Sequence, residues 1–279
     1  MNDLLKKYLN LDRDPFHREE WGHIDLWEFD RAVKGVRVYF TTRSGGVSEH
    51  PYRSLNLGFH VGDARERVIR NRELLGGHFG FPPERLTSPR QRHSDVVREL
   101  GREQDVGDGA DGRESAFSPF DPCDGLVTSM ERAPLLLLFA DCVPVVVTAR
   151  SGGRSLVAVI HAGRAGLVAG VVANGVRRLR ETAAAELEKL TAAIGPSIGP
   201  CCYEVDAAAA SAFAARFGSE AVQGRNLDLR LAARRELERA GVGAGDVHLL
   251  DICTACDQDF YSYRRDGVTG RQGALAWIE

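Results

Sequence analysis

Three residues that could bind one metal ion stand at the ends of apolar or strand-like segments. Cys142 closes the apolar run that starts at Pro134, and His161 follows the run of residues 155–160. His93 lies in the polar stretch 91–94, just before two valines. Strands hold the side chains at their ends with little positional freedom, which suits a metal site or a nucleophile. Two imidazoles and one thiolate leave one tetrahedral zinc position open, so the trio predicts a catalytic zinc site.

Asp141 precedes Cys142 in the same apolar run. A buried carboxylate is costly unless it has a partner. A hydrogen bond to a ligating histidine would compensate it and fix the tautomer of that ring, and the same carboxylate could carry protons. A core cysteine beside an aspartate at the solvent-facing end of a strand is the structural alternative. Pro144 disfavours a central strand here and indicates a bend, which favours a functional site.

Further candidates could bind an anion or a sugar. Gly163 precedes a predicted helix, whose N-terminus would offer unpaired N–H groups to an anion, although small residues there could simply let the helix pack on the sheet. The glycine spacing matches neither a dinucleotide nor a P-loop fingerprint. In two polar loops, Arg43 could hold a phosphate or carboxylate and Asn56 could orient a sugar hydroxyl. Taken singly, a surface ion pair and a turn cap explain those two residues more simply.

Four of the six cysteines form two close pairs. Cys253 and Cys256 have the spacing of a zinc or redox pair, and Cys201 and Cys202 could supply partners. Neither pair has the expected sequence context. The sequence therefore favours core thiols over a second metal site.

The composition is that of a globular protein of 279 residues, with 43% hydrophobic residues, 27% charged residues and a net charge of -3. This balance gives no electrostatic case for binding nucleic acid or a membrane surface. The longest apolar stretch, residues 134–147, contains Asp141 and is too short to span a bilayer. The N-terminus lacks the apolar core of a signal peptide. Reduced thiols and a cytoplasmic location are therefore expected.

Strand and helix patterns alternate without a regular βαβ repeat, which predicts an α/β (α+β) fold in which helices pack on the faces of one mixed sheet. Residues 1–35 are expected to form an N-terminal extension or flap, residues 36–279 a single catalytic domain, and residues 101–122 a long surface loop. Strands are predicted at 36–40, 125–128, 135–140, 143–148, 156–160, 191–198, 247–252 and 274–278, and helices at 63–79, 166–190, 206–217 and 227–240.

From about residue 36 to the C-terminus, a series of short blocks resembles the YfiH family, also called the laccase-domain or multicopper polyphenol oxidoreductase family. The blocks are residues 42–48, 54–58, 62–63, 71–72, 91–93, 124–128, 140–144, 161–163, 194–196, 202–205 and 260–265. The resemblance implies that His93, Cys142 and His161 bind zinc. It also implies phosphorolysis of adenosine, inosine and methylthioadenosine, with adenosine deamination as a second activity, so that a purine nucleoside and phosphate are the partners.

One block departs from the family pattern. The family usually reads His-Ala-Gly-Trp-Arg-Gly, whereas residues 161–166 read His-Ala-Gly-Arg-Ala-Gly. The tryptophan is absent and the arginine, Arg164, stands one position early. A shift of one residue on a helix rotates a side chain by about 100°. Arg164 is therefore expected to bind substrate from a different direction, which bears on the substrate range.

Two other function classes stay open. Copper-dependent polyphenol oxidation would need a copper ion with a weak axial ligand and usually a histidine-rich cluster, and eight histidines without His-x-His spacing argue against such a cluster. A cysteine hydrolase or amidase would use Cys142 as nucleophile and His161 or His93 as base. The second class suits the role in peptidoglycan quality control that is associated with some bacterial family members.

Overall fold

The computed structural model describes residues 14–102, 122–183 and 185–279. Residues 1–13 of the predicted flap (1–35) and residues 103–121 of the predicted loop (101–122) lie outside this part of the chain. In chain order the elements are β1 (Phe16–Trp21), β2 (Ile24–Phe29), β3 (Val36–Thr41), α1 (Arg65–Phe79), β4 (Val97–Leu100), β5 (Gly125–Thr128), β6 (Leu135–Phe139), β7 (Val143–Ser151), β8 (Arg154–Ala162), α2 (Arg164–Ala169), α3 (Val171–Thr182), β9 (Leu187–Ile194), α4 (Ala207–Phe217), β10 (Val222–Gln223), β11 (Asn226–Leu227), α5 (Leu229–Arg239), β12 (Val247–Leu249), α6 (Tyr263–Asp266) and β13 (Gln272–Ile278).

The strands form two large sheets instead of the single sheet that was expected. The first sheet has the order β1-β2-β3-β13-β6 and is antiparallel throughout. The second has the order β12-β9-β7-β8-β5-β4 and is mixed, with parallel pairs at both edges. Strands β10 and β11 form a separate small ribbon. The mixed strand directions and the covering helices agree with the predicted fold class.

Three apolar clusters show how the layers stack. One lies between the sheets, where Phe40 and Leu137 of the first sheet meet Val159 of the second. A second cluster covers the outer face of the second sheet with the helices that follow β8 and β9. The third covers the outer face of the first sheet with α1, through Leu75. The order is therefore helix, sheet, sheet, helices, and each sheet buries both of its faces.

The N-terminal strands belong to the first sheet. β1 pairs with β2, and β2 pairs with β3, for example Leu26 with Thr41. The described part of the predicted flap, residues 14–35, is therefore integral to the sheet, because its backbone continues the strand ladder. Among the described residues, no helix is both long and apolar enough to cross a bilayer.

Two sequence predictions about elements are wrong. The helix predicted over 166–190 is divided at Gly170, whose φ of 93° ends α2, and residues 187–194 form strand β9. Pro144 lies in β7, a central strand, although a bend does occupy residues 140–142 as predicted. Pro144 is the second residue of β7, a position near the strand end where the missing N–H is tolerated.

Candidate metal centre

The structure brings His93, Cys142 and His161 together. Their possible ligand atoms all lie within 4.8 Å of one another, and the two imidazole rings meet edge to face with centroids 4.8 Å apart. Each residue comes from a different part of the second sheet or its borders. His161 is the penultimate residue of β8, Cys142 directly precedes β7, and His93 lies in the loop before β4.

Asp124 connects two of these residues. Its carboxylate lies 2.8 Å from His161 Nδ1 and is completely buried. The same carboxylate accepts hydrogen bonds from the main-chain N–H groups of Arg92, His93 and Ser94. His93 has a φ of 60°, a strained conformation for a residue with a side chain, and these bonds hold it there. With Nδ1 donating to Asp124, His161 presents Nε2 as its free ligand atom.

The charges of the three residues support one another. Burial alone would raise the pKa of the Cys142 thiol, but the charge of His161 and hydrogen bonds from both histidines lower it to about 6. Burial would lower the pKa of His161, yet Cys142 and Asp124 raise it to about 9. Burial would raise the pKa of Asp124, but hydrogen bonds from His161 and Ser94 lower it to about 2. Near neutral pH, Cys142 is therefore a thiolate and Asp124 a carboxylate, so both carry a negative charge that favours a bound cation.

These groups fit a zinc ion. Histidine nitrogen and cysteine thiolate are zinc's usual ligands, and three protein ligands are typical of catalytic zinc. Gly163 leaves the space next to two of them open: a Cβ there would lie 2.7 Å from His93 Cδ2 and 2.9 Å from Cys142 Sγ. A His₂Cys set also suits type 1 copper, but no methionine is among the described residues that line the cavity beside the trio.

Asp141 makes no hydrogen bond to His161, although the sequence predicted such a bond to a ligating histidine. Its two carboxylate oxygens accept hydrogen bonds from Thr254 Oγ1 at 2.8 Å and from the Arg264 main-chain N–H at 2.7 Å. Its φ of 89° falls in the left-handed region. The carboxylate that bonds to a ligating histidine is that of Asp124. Asp141 instead connects the bend at residues 140–142 to the C-terminal loop.

Arg43 and Asn56 lie away from the trio, and neither lines its cavity. Asn56 is completely buried, and its amide bonds to Gly58, Asp63 and Arg271. Arg43 donates from Nε to the carbonyl oxygen of Arg53 and stacks over a tyrosine ring. We correct both substrate assignments, because neither side chain lines the cavity, Asn56 is hydrogen-bonded within the fold and Arg43 lies against the Tyr261 ring. We assign the two residues to bracing the loops of the first sheet.

Gly163 and Arg164 do lie at the trio. Gly163 precedes α2, and Arg164 is the first residue of that helix. Arg164 is exposed and lines the cavity, as does Tyr203. α2 has only six residues, so the anion-binding capacity of this region depends on the Arg164 guanidinium more than on the helix end.

The cavity beside the trio has a volume of about 820 Å³, which is large enough for a nucleoside and phosphate. Its wall is cationic and partly aromatic. The lining residues are His60, Pro89, Arg90, Gln91, Arg92, His93, Leu138, Ala140, Asp141, Cys142, His161, Arg164, Ala165, Tyr203, Tyr263, Arg264 and Arg271. Five of these are arginines, and Asp141 is the only carboxylate among these described lining residues.

The sequence interpretation missed Asp124 and two of the arginines, Arg90 and Arg92. Asp124 precedes the apolar strand Gly125–Thr128, so the argument applied to Asp141, that a carboxylate beside a buried strand needs a partner, would have found it. Arg90 and Arg92 carry no such signal, because only the fold brings their loop to the cavity. Arg264 and Arg271 belong to a segment of aromatic and cationic residues, 260–271, whose sequence allows either a nucleotide-facing wall or Arg–Tyr stacking within the fold.

The fold and this site define a two-sheet α/β protein with a candidate His₂Cys metal centre at the edge of a cationic cavity. A family model described as "Multi-copper polyphenol oxidoreductase laccase" matches residues 37–279, and the chain belongs to that family.

Relatives in sequence carry a more specific name. The chain is 36% identical to a purine nucleoside phosphorylase of Corynebacterium glutamicum over 89% of its own length and 97% of the relative. It is also 36% identical to the purine nucleoside phosphorylase YlmD of Geobacillus stearothermophilus, over 95% of this chain and 97% of that protein.

Solved structures agree with the fold. The crystal structure of the Bacillus licheniformis hypothetical protein YfiH superposes with a TM-score of 0.83 at 31% identity, and covers 96% of this chain and all of the other. YlmD from Geobacillus stearothermophilus gives a TM-score of 0.82 at 34% identity with the same coverage. The resemblance to the YfiH family is thus confirmed.

Proposed function

We propose that the protein is a zinc-dependent purine nucleoside phosphorylase that acts on adenosine, inosine and methylthioadenosine. The observation that carries the proposal is the trio His93, Cys142 and His161, backed by Asp124, beside a cavity lined by five arginines. The names of the relatives support it. None of the six cysteines, all of which lie among the described residues, forms a disulfide, which supports the cytoplasm as the proposed location.

The trio would hold the metal. When bound, zinc supplies Lewis acidity toward a substrate group or a water molecule. Asp124 keeps the His161 ring in one tautomer and fixes the backbone at His93. The protein thereby orients the donor atoms before a ligand arrives, which limits the reorganisation needed during the reaction.

The arginines would bind phosphate. Arg92 and Arg164 are exposed on the cavity wall beside the trio, and guanidinium groups bind phosphate through paired, charge-assisted hydrogen bonds. Arg264 and Arg271 are held by carbonyl acceptors, at Cys202 and Thr269 respectively. We assign phosphate binding to Arg92 and Arg164. Arg264 and Arg271 support it by adding to the positive potential of the cavity.

The aromatic and apolar lining would bind the purine. Tyr203 and Tyr263 present rings to the cavity, and Leu138 adds an apolar surface, which suits a flat heterocycle. In the reaction, a phosphate oxygen forms a bond to the anomeric carbon while the glycosidic C–N bond breaks. The bond electrons pass to the purine nitrogen, which takes up the proton that the hydrogen phosphate gives up, and the products are the free base and a sugar 1-phosphate.

Adenosine deamination is proposed as a weaker side activity. Zinc deaminases use a carboxylate to carry protons, and Asp141 is the only carboxylate among the described lining residues. Both of its oxygens already accept hydrogen bonds. We expect an Asp141→Asn variant to lose inosine formation from adenosine more than phosphorolysis, measured by separating inosine from adenine in one assay.

The direct test is to incubate the purified protein with inosine and phosphate and to measure hypoxanthine and ribose 1-phosphate. His93→Ala should abolish both products, and His23→Ala, at an exposed histidine between β1 and β2, should retain them. Failure of the parent protein to form either product at high enzyme load would overturn the proposal. Metal analysis after growth without added copper, with the absence of a blue absorption band, distinguishes zinc from the copper oxidase alternative.

One observation favours a second candidate function, a cysteine hydrolase or amidase. Cys142 could act as a nucleophile, His161 as its base, and Asp124 as the acid that orients the base. The lowered pKa of Cys142 suits a nucleophilic thiol. Chelation separates the two functions. A phosphorylase of the proposed kind loses its activity when the metal is stripped and regains it with zinc, whereas a cysteine hydrolase keeps its activity without metal.

A further inference from the structure

A second group of thiols lies outside the cavity. Cys201, Cys202, Cys253 and Cys256 have sulfur atoms that all lie within 4.8 Å of one another. Cys201 and Cys256 are exposed and the other two are half-buried. The expectation of core thiols is therefore wrong for Cys201 and Cys256, whereas Cys202 and Cys253 pack partly against the core of the second sheet. Exposed cysteines contribute little to packing, so their convergence needs another explanation.

The topology explains how the two pairs meet. β9 and β12 are parallel neighbours in the second sheet, so the loops that follow them leave the same edge. Hydrogen bonds join the loops directly, from Ser197 N–H to the Ile252 carbonyl and from Thr254 N–H to the Ser197 carbonyl. Backbone hydrogen bonds thus bring the two cysteine pairs next to each other.

The sulfur distances match a tetrahedral ion. Zinc–sulfur bonds of about 2.3 Å place tetrahedral sulfur ligands roughly 3.8 Å apart. Here Cys201 Sγ and Cys202 Sγ lie 3.6 Å and 3.4 Å from Cys256 Sγ. A disulfide needs about 2.05 Å, and all four cysteines are free. We propose that these four cysteines bind a zinc ion in a closed structural site.

The surroundings of Cys253 support this assignment. The Gly199 main-chain N–H donates to Cys253 Sγ at 3.2 Å, and such outer hydrogen bonds orient ligands at metal sites. A Cβ on Gly199 would lie 3.2 Å from Cys201 Sγ, so the glycine leaves the sulfur atoms room to converge. Four thiolates complete the coordination of zinc, and no position stays open for a substrate.

The cluster also holds part of the cavity wall. Tyr203 follows Cys202 directly, and Arg264 Nη1 donates to the Cys202 carbonyl at 3.1 Å. Thr254, between the other two cysteines, donates to Asp141 at 2.8 Å. Zinc bound by this cluster thereby restrains three cavity residues, Tyr203, Arg264 and Asp141. Loss of that zinc lets this part of the cavity wall move, while the ligands of the catalytic trio stay unchanged.

The test is a metal count on the full-length protein. In a His93→Ala/Cys142→Ser variant the catalytic trio cannot hold zinc, so the zinc that stays bound after dialysis belongs to the cysteine cluster. We expect one equivalent per chain by elemental analysis. Adding Cys201→Ser and Cys256→Ser, at exposed positions that the fold tolerates, should remove it. Adding Cys123→Ala instead, which deletes a thiol outside both sites, should not.

A second measurement on the same background identifies the ligands. Cobalt substitution should give the visible bands of a tetrahedral ion and sulfur-to-cobalt charge transfer, and both should vanish in the Cys201→Ser/Cys256→Ser variant. Absence of retained zinc in folded protein prepared under reducing conditions overturns the proposal, as does an intact-protein mass that shows a disulfide among the four. Neither result depends on phosphorylase activity, so this inference and the proposed function fail separately.

Discussion

At the scale of single residues, one carboxylate organises the candidate metal centre. Asp124 accepts hydrogen bonds from three consecutive main-chain N–H groups and from the ring of His161. It therefore sets the position of one ligand through the backbone and of another through the side chain. The hydrogen bonds that lower its pKa to about 2 keep it ionised at any pH at which the protein is assayed.

Replacing Asp124 by asparagine should weaken zinc binding at the trio by about 10- to 100-fold, the usual cost of losing an outer partner of a ligating histidine. The amide can still accept from the backbone, but it holds the His161 tautomer less strongly. Competition with a chromogenic chelator measures the change. Asp63→Asn, at a carboxylate outside the cavity, is the matched control. An unchanged affinity in Asp124→Asn would show that the ligands do not need this partner.

The thiol of Cys142 gives a pH-dependent signature in metal-free protein. Because its pKa is lowered to about 6, the reactive thiolate predominates above that pH and disappears below it. The rate of alkylation of Cys142 by iodoacetamide, followed by peptide mass spectrometry, should rise through pH 6, and bound zinc should suppress it. A midpoint near that of an ordinary thiol would contradict the charge pairing with His161.

At the scale of elements, the centre depends on where strands stop. β6 ends at Phe139, the chain bends through residues 140–142, and β7 begins at Val143. This bend places Cys142 against the end of β8, where Gly163 gives it room. Gly163 has an ordinary extended backbone, with φ −74° and ψ 168°. Only the missing side chain, and not an unusual backbone conformation, makes glycine necessary there.

A Gly163→Ala variant should therefore keep its fold and lose the metal. The added Cβ would stand 2.7 Å from His93 Cδ2 and 2.9 Å from Cys142 Sγ, so one ligand must move. Zinc content and circular dichroism together check this outcome. The matched control is Gly77→Ala in α1, where a Cβ meets nothing within 4 Å. That control should stabilise the helix by up to about 1 kcal/mol and bind zinc normally. Full zinc content in Gly163→Ala would contradict the crowding argument.

The elements that the sequence could predict were those with a clear period or cap. The helix starting near residue 63 and the apolar strands from 125 to 162 have such patterns. The pattern of residues 187–190, in which charged and apolar residues mix, fits a helix or a strand. Pairing with β7 decides the outcome, and a partner so distant along the chain leaves no local signal. The prediction from Pro144 was wrong for a related reason. β7 tolerates this proline because the strand begins only one residue before it, and the local sequence does not show where β7 begins.

At the scale of the whole molecule, the centre lies where the two sheets are joined. β6 belongs to the first sheet and β7 to the second, so the bend that carries Cys142 is also a connection between sheets. Residue chemistry alone was enough to propose the trio from the sequence. The cavity wall was predictable only in part: Arg164 was expected to bind substrate, whereas Arg90 and Arg92 lie in a loop that only the two-sheet packing brings to the same cavity.

This position predicts that zinc stabilises the entire fold. An ion held between the bend, β8 and the loop before β4 binds only the native arrangement, and free zinc at 100 times its dissociation constant stabilises a protein by about 2.7 kcal/mol. For a chain of this size that corresponds to a rise in Tm of roughly 5–10 °C. Calorimetry of metal-free and zinc-loaded protein measures the rise.

The His93→Ala/Cys142→Ser variant separates the two metal sites in the same experiment. It should lose the part of the rise that the catalytic trio supplies and keep the part due to the four-cysteine cluster. Cys201→Ser/Cys256→Ser should show the reverse. Equal rises in the parent protein and in His93→Ala/Cys142→Ser would mean that the trio does not bind zinc in the folded state.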